Sequence, residues 1–165
     1  MEYRKATLDD LPVIHELVTA TVGHLQKHGN MQWDERYPLD RDFIPDIESD
    51  TQYIGFEGDR AAVIYALNTE HDSQYDAGEW RHKDERWAVL HRFIVHPDFQ
   101  GKGIAKATLL RIIGELRDQG IRCIRLDTYR ENAASQGLYH SFDFVDVGVA
   151  WFRDKPFDLM ELYIE

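Results

Sequence analysis

Six consecutive residues, Gln100–Ala105, carry the clearest chemical potential in the sequence, Gln-Gly-Lys-Gly-Ile-Ala. An apolar stretch that ends in His96-Pro97 precedes them, and apolar residues recur after them at helical spacing. This order predicts a strand, a glycine-containing loop and a helix. The first backbone N–H groups of a helix lack partners within it and carry partial positive charge. The stretch therefore predicts an anion site, to which Lys102 and Lys106 would add positive charge.

Two common phosphate-binding patterns do not fit this loop. The P-loop pattern Gly-x-x-x-x-Gly-Lys-Ser/Thr is absent, and the dinucleotide pattern Gly-x-Gly-x-x-Gly fails because Lys106 occupies its third glycine position. Glycine-rich loops before helices are also common as ordinary tight turns. The six residues alone therefore leave two readings open, a phosphate-binding loop and a plain turn.

A wider comparison of motifs favours the first reading. The loop resembles motif A of the GCN5-related N-acetyltransferases (GNAT), Gln/Arg-x-x-Gly-x-Gly/Ala, with Gln100, Gly103 and Ala105 at its fixed positions. In that family the loop binds the pyrophosphate of acetyl-CoA. A second segment, Asn132–Phe144, is similar to the family pattern Asn-x-x-Ala-x-x-Leu-Tyr-x-x-x-Gly-Phe. The resemblance covers roughly the region from Trp87 to Val147.

The second segment departs from the family pattern at several positions. Ser135 stands where Ala is usual, Ser141 replaces a common Lys, and Asp143 replaces the usual Gly. Gly137 falls inside the helix, where it costs about 1 kcal/mol relative to Ala. Asp is one of the residues that can adopt a left-handed backbone conformation, so Asp143 can still serve in the turn.

The resemblance implies an α/β (α+β) fold, a mixed twisted sheet of about six to seven strands flanked by helices, in one domain over residues 1–165. It implies an enzyme that transfers acetyl from acetyl-CoA to a primary amine by direct attack, with no metal. A non-catalytic acyl-CoA-binding module on the same fold is the alternative, and another phosphate-ligand binder is a third. The residues expected to hold the donor are Ile94 and Val95 for pantetheine, Gln100, Gly101, Lys102, Gly103, Ile104, Ala105 and Lys106 for pyrophosphate, and Asn132 for the cofactor arm or the helix cap.

Acyl transfer to an amine also needs groups that move protons. Tyr139 matches the position of the family's general acid, and a phenol can hydrogen-bond a developing thiolate. A lysine-like amine has a pKa of about 10.4, so it must lose a proton before it attacks. His91 and Glu79 are the candidate bases, because His has a suitable unperturbed pKa and Glu79 could act through water. Water chains without a single base are the alternative.

The strand that carries His91 contains an irregularity. His91 and Arg92 lie side by side in an otherwise apolar stretch, which breaks the two-residue alternation of a strand. A one-residue bulge would restore the alternation, and the resembled family has a bulge in this strand. A strand that merely ends its polar face here is the other reading.

The remaining elements follow from periodicity and turn residues. A long polar segment, residues 68–86, separates a hairpin from the central strand; it is too polar for a core element and could fold over the acceptor site. The predicted elements are a strand at 3–7, a helix that ends near Gly29-Asn30, a short helix around Ile44 and Ile47, a hairpin at 52–56 and 61–67, and strands at 88–95, 121–128, 144–150 and 157–164.

Composition limits the function classes. The 165 residues carry a formal net charge of −11, which argues against nucleic-acid and anionic-membrane partners and suits an amine acceptor. No apolar run is long enough to span a bilayer, and the N-terminus lacks the apolar core of a signal peptide. The only cysteine, Cys123, fits a reducing compartment, so we expect a cytoplasmic protein. Exposed terminal strands make a homodimer a further expectation.

Overall fold

The computed structural model describes all residues from 1 to 165. Seven strands form a mixed sheet in the order β1-β2-β3-β4-β5-β7-β6, in which β4 and β5 run parallel. This confirms the predicted α/β fold with a mixed sheet and flanking helices. The elements are β1 (Glu2–Lys5), α1 (Leu11–Lys27), α2 (Asp40–Glu48), β2 (Gln52–Glu57), β3 (Arg60–Asn68), β4 (Trp87–Val95), α3 (Ile104–Asp118), β5 (Cys123–Tyr129), α4 (Ala133–His140), β6 (Val145–Phe152) and β7 (Lys155–Tyr163), with short 3-10 turns at Leu8–Asp10, Ser73–Ala77 and Pro97–Phe99.

The chain divides into two compact units, each described by itself. The first unit contains residues 1–67 and 92–107, and the second contains residues 68–91 and 108–165. The strand β4 contributes its end to the first unit and its beginning to the second. The single domain predicted for residues 1–165 stays a prediction. None of the helices combines the length and the apolar character that a bilayer crossing requires.

In the first unit, α1 packs on one face of the sheet. Its buried residues Ile14, Leu17 and Val18 follow the i, i+3, i+4 spacing of an amphipathic helix and contact a core that includes Ile54 and Ile64. Because neighbouring residues of a strand point to opposite faces, Val63 faces away from this core. It packs instead with Phe99 and Ile104, at the start of α3. The glycine loop is therefore held against the second face of the sheet.

In the second unit, β7 lies between β5 and β6. Its register pairs Arg125 with Glu161 and Asp127 with Leu159, so these four side chains share one face of the sheet. Of the two terminal strands, only β1 lies at an edge, while β6 forms the other edge. The homodimer stays a prediction. It was based on exposed terminal strands, and of these only β1 has a free edge.

The segment between β3 and β4 corrects one prediction. It was expected to be too polar for the core, yet Tyr75 and Trp80 are buried and pack with Val89 and Leu159. The Trp80 indole N–H donates to the Tyr75 carbonyl at 2.9 Å. Two aromatic side chains thus fasten an otherwise polar segment to the sheet, which a count of polar residues does not reveal.

Gly148 in β6 permits a close approach of this segment. Its φ is 151°, and the β6–β7 register shifts between Asp146 and Gly148. A Cβ atom at Gly148 would lie 3.0 Å from the Ala77 carbonyl oxygen. The neighbouring Val147 carbonyl accepts a hydrogen bond from the Glu79 N–H at 2.6 Å. The segment therefore lies against β6 at a point where only glycine fits without strain.

We expect Gly148→Ala to lower the free energy of unfolding by about 1–3 kcal/mol, because the backbone conformation and the close contact are both unfavourable for alanine. Gly114→Ala is the control, since Gly114 lies within α3 with open space around it, and we expect a gain of about 0.5–1 kcal/mol. Chemical denaturation measures both changes. Equal stability of the two variants would contradict the proposed role of Gly148.

Candidate active site

The glycine loop of the first unit presents an open backbone surface. Gly101 and Gly103 have φ values of 72° and 77°, in the left-handed region that favours glycine. No other atom lies within 4 Å of the position that a Cβ would take at either residue. The loop can therefore be approached closely by a ligand.

The start of α3 supplies hydrogen-bond donors beside these glycines. Ala107 donates the bond that closes the first helical turn, to the Gly103 carbonyl at 3.0 Å. The N–H groups of Ile104, Ala105 and Lys106 precede that bond, so the helix offers them no acceptor. Their direction and partial charge suit an anion.

Side chains around the loop set its charge and its anchoring. Lys102 and Lys106 are exposed, and neither forms an ion pair. The Lys102 ammonium lies 5.2 Å from the centre of the Phe99 ring. The Gln100 side-chain amide donates to the Val95 carbonyl at 3.3 Å, which ties the loop to the end of β4. Open glycines, free helix N–H groups and two lysines together fit a pyrophosphate.

The irregularity predicted in β4 has a structural basis. Arg92 has a φ of 44°, a left-handed conformation that interrupts the regular geometry of the strand. Its guanidinium pairs with Asp46 and lies over the Phe43 ring, at 5.3 Å from its centre. Ile94 beyond it is buried in the core of the first unit. The pantetheine contacts predicted for Ile94 and Val95 stay predictions.

In the second unit, the parallel ladder between β4 and β5 is short. Its last pair is Val89 with Arg125, although both strands continue. Side chains alternate along a strand, so the next residues on the same face are His91 in β4 and Asp127 in β5. Both lie where the two strands have stopped pairing.

Asp127 is a half-buried carboxyl that forms no ion pair within 4 Å. The Tyr75 hydroxyl donates a hydrogen bond to its Oδ1 atom at 2.6 Å. Burial raises the pKa of Asp127, and the hydrogen bond from Tyr75 opposes that rise. The nearby charges of His91 and Arg153 also lower this pKa, while Asp72 raises it. An acid with a raised pKa is a better proton acceptor than an ordinary aspartate.

Tyr139 is close enough to this carboxyl to interact with it electrostatically. It is 7% exposed on α4, and its ring meets the Phe144 ring edge-on with centres 5.4 Å apart. Burial, followed by the charge of Asp127, raises the pKa of Tyr139 well above the ordinary phenol value. Tyr139 therefore stays protonated at neutral pH and can act as a hydrogen-bond donor.

The other residues predicted from sequence have different surroundings. His91 Nε2 lies 3.0 Å from both the Asn68 Oδ1 atom and the Glu70 carbonyl oxygen. Two acceptors require a proton on Nε2, so this nitrogen is not available as a base. The Glu79 side chain is exposed, and its backbone N–H donates to the Val147 carbonyl of β6. Asn132 caps α4 by accepting from the Ser135 N–H at 3.1 Å.

Sequence reasoning missed Asp127 and Tyr75. One signal was present, because Arg125 and Asp127 alternate with apolar residues in a strand that is otherwise buried. Charged residues at such spacing indicate one face with a special environment. Nothing in the sequence indicates that Tyr75, which is 52 positions away, supplies the hydrogen bond.

Comparisons with known proteins identify the family of the chain. Residues 25–144, more than half of the chain, match the model of the "Acetyltransferase (GNAT) family". The L-amino acid N-acyltransferase MnaT of Escherichia coli (strain K12) is 31% identical over 130 residues, which cover 72% of this chain and 76% of that protein.

Two solved structures resemble the fold. A GNAT-family acetyltransferase from Streptococcus agalactiae is similar with a TM-score of 0.86 and 25% identity, over 99% of this chain and 95% of that one. The PaiA N-acetyltransferase of Thermoplasma acidophilum, solved in complex with coenzyme A, has a TM-score of 0.70 and 19% identity, over 98% of each chain.

Asp127 and Asp10, whose pKa values are shifted in opposite directions, should respond in opposite ways to Asp→Asn. The folded-state pKa of Asp127 is raised, so its ionisation weakens the fold as pH rises. Asp127→Asn should then increase the free energy of unfolding at pH 7 by about 1 kcal/mol, and the gain should vanish near pH 3.

Asp10→Asn is the matched control. The Arg4 guanidinium lowers the pKa of Asp10 to about 2, so its contribution is present above its unfolded value of 3.8 and is lost as pH falls through about 2. Asp10→Asn should therefore decrease the free energy of unfolding at pH 7 by about 1–2 kcal/mol. Urea denaturation at several pH values measures both effects, and a loss of stability in Asp127→Asn would contradict the assignment.

Proposed function

The chain belongs to the GNAT acetyltransferase family, and we propose that it transfers acetyl from acetyl-CoA to the α-amine of an amino-acid acceptor. Its relatives make it an acetyl-CoA-dependent N-acyltransferase. The observation that carries the proposed mechanism is the pair of Asp127 and Tyr139, a carboxyl and a phenol whose pKa values are both raised. One group accepts a proton, and the other donates a hydrogen bond.

The glycine loop is the proposed donor site. The N–H groups of Ile104, Ala105 and Lys106 would bind the pyrophosphate oxygens, and the exposed Lys102 ammonium would add charge. Charge-assisted hydrogen bonds of this kind are about twice as strong as neutral ones. Gly101, Gly103 and Gln100 shape the loop, so their part is conformational.

Asp127 is the proposed site of amine activation. An acceptor would enter as an ammonium, which the Asp127 carboxylate would attract. The amine must lose one proton before its lone pair can attack the thioester carbonyl carbon, and Asp127 would accept that proton directly or through one water. The raised pKa of Asp127 favours this transfer. The transfer itself remains unfavourable, because the amine has a pKa of about 8 or above.

Tyr139 is proposed to assist the leaving group. When the tetrahedral intermediate collapses, the C–S bond breaks and the sulfur carries the electron pair away. The Tyr139 hydroxyl would hydrogen-bond this thiolate, which then takes up a proton. The products are the N-acetylated acceptor and the free thiol. The proton released by the amine balances the proton taken up by sulfur.

The acceptor class rests on a relative. The E. coli protein described above is named for acylating L-amino acids, and it matches 72% of this chain. The chain's net charge of −11 also favours acceptors that carry a positive amine. We propose free amino acids as the first acceptors to test. A cytoplasmic location is part of the proposal, since the single cysteine is free and buried.

Isothermal titration calorimetry with acetyl-CoA tests the donor site. We expect micromolar binding by the wild type and loss of binding in Gly103→Trp, because a Trp side chain would fill the open space above the loop. Gly58→Trp is the control, as Gly58 also has a positive φ and open surroundings but lies in the β2–β3 turn. A folded wild type that does not bind millimolar acetyl-CoA would overturn the donor site.

Tyr139→Phe tests the leaving-group role. We expect kcat for amine acetylation to fall by about 10²-fold, the lower end of the range for a lost proton-transfer group. The Kd of acetyl-CoA should change by less than about twofold, since the phenol acts on the developing thiolate. Steady-state kinetics and calorimetry on one preparation give both numbers. Unchanged kcat would exclude Tyr139 from the chemical step.

A further inference from the structure

Tyr75, on the segment between β3 and β4, has no assigned part in acetyl transfer. We propose that Tyr75 is a positioning residue for the reaction, whose hydroxyl keeps the Asp127 carboxylate charged and oriented for the acceptor amine. This inference rests on the proposed function of Asp127. Under this proposal, residues 68–86 would contribute to the chemistry as well as cover the acceptor site.

The contact between the two side chains is short and enclosed. Tyr75 is 1% exposed, and its hydroxyl oxygen lies 2.6 Å from Asp127 Oδ1. A hydroxyl has one proton, and an ionised carboxylate can only accept, so Tyr75 is the donor. The structure shows no other hydrogen bond and no ion pair to this carboxylate. Tyr75 therefore supplies the one directed contact that stabilises the charged form.

Two neighbouring rings restrain the ring of Tyr75. The His71 ring stacks on it with centres 5.3 Å apart and planes within 10°, and the Trp80 ring lies 5.6 Å away at 26°. Trp80 also donates its indole N–H to the Tyr75 carbonyl. Rings held in this way leave the phenol little freedom to turn from Asp127.

The segment is fastened again a few residues further on. The backbone N–H groups of Arg81 and His82 both donate to Glu161 Oε1, at 3.1 and 3.2 Å. Glu161 is 1% exposed on β7. Since Glu161 belongs to the same sheet face as Asp127, the segment is anchored to the surface that carries the carboxyl it contacts.

Charged groups face Asp127 from several elements. Asp72 lies on the same segment as Tyr75 and disfavours a negative Asp127, whereas His91 on β4 and Arg153 in the β6–β7 turn favour it. Tyr139 on α4 is a neutral phenol. Replacing Tyr75 by Phe leaves all of these groups in place and removes only the donated proton.

The consequence has a definite sign. Because the Tyr75 hydrogen bond lowers the pKa of Asp127, its loss raises that pKa further. A protonated Asp127 can neither attract an ammonium nor accept a proton. In Tyr75→Phe, the acidic limb of the pH profile of kcat/KM for the amine should therefore move to higher pH.

The experiment compares this profile for the wild type, Tyr75→Phe and Tyr163→Phe. Tyr163 is the matched control, because it is partly exposed in the same unit and its hydroxyl makes no hydrogen bond. We expect the limb to move only in Tyr75→Phe. Below the wild-type limb, kcat/KM should fall about tenfold, and above it by less than about threefold. The Kd of acetyl-CoA should not change.

A uniform loss of kcat/KM at every pH would overturn the inference, since that pattern belongs to a structural role. If Tyr75→Phe does not fold, Trp80→Phe removes the indole donor that holds Tyr75, and a smaller shift in the same direction is expected. Failure of the proposed function would look different, because the wild type would then acetylate no amine. An NMR titration of the Asp127 carboxyl in the wild type and Tyr75→Phe would still decide whether the hydrogen bond sets its ionisation.

Discussion

The short parallel ladder between β4 and β5 is the constraint on which the candidate chemistry depends. The two strands pair only from Trp87 with Cys123 to Val89 with Arg125, and both then continue without pairing to each other. Backbone groups released from a ladder need other partners, which makes such a point suitable for ligands. Because side chains alternate along a strand, Asp127 of β5 lies on the same face of the sheet as Val89 of β4, just beyond the last pair of the ladder. Asp127 is half-buried there, with β7 paired on one side of β5 and the β4 ladder ended on the other.

Glu161 and Asp127 lie on the same face of the sheet, but their surroundings suit them to different roles. Glu161 accepts two backbone N–H groups and the His82 ring, and Arg125 lies beside it between the rings of Trp80 and Trp87, 4.7 and 4.6 Å from their centres. Through the contacts with Arg81 and His82, Glu161 anchors the segment between β3 and β4. Asp127, one step along the same face, has a single phenol as its donor. Glu161 is held by three contacts on its Oε1 atom and anchors the segment, whereas Asp127 accepts from one donor and is the acid proposed to contact the acceptor.

The sequence was sufficient for features that depend on local rules and insufficient for those that depend on distant contacts. The loop before α3, the Asn132 cap and the left-handed Asp143, with a φ of 65°, all follow from neighbouring residues. The irregular strand at Arg92 was also detectable, since it breaks a local alternation. The contact of Tyr75 with Asp127 joins two segments that no periodicity connects. The burial of Tyr75 and Trp80 within a polar segment also depends on contacts with distant parts of the chain, so periodicity does not reveal it.

The raised pKa of Asp127 also bears on how the proposed reaction would turn over. The fold disfavours the negative charge on this carboxyl, so an ammonium that neutralises it gains affinity from a pre-existing electrostatic imbalance. In the proposed reaction, binding of the amine and ionisation of Asp127 would therefore favour each other. Acetylation would convert the amine into a neutral amide, which no longer provides that charge, and the proton transferred to Asp127 would neutralise the carboxyl in its place. The electrostatic imbalance that would attract the substrate would thus weaken binding of the product, at the expense of stability in the empty fold.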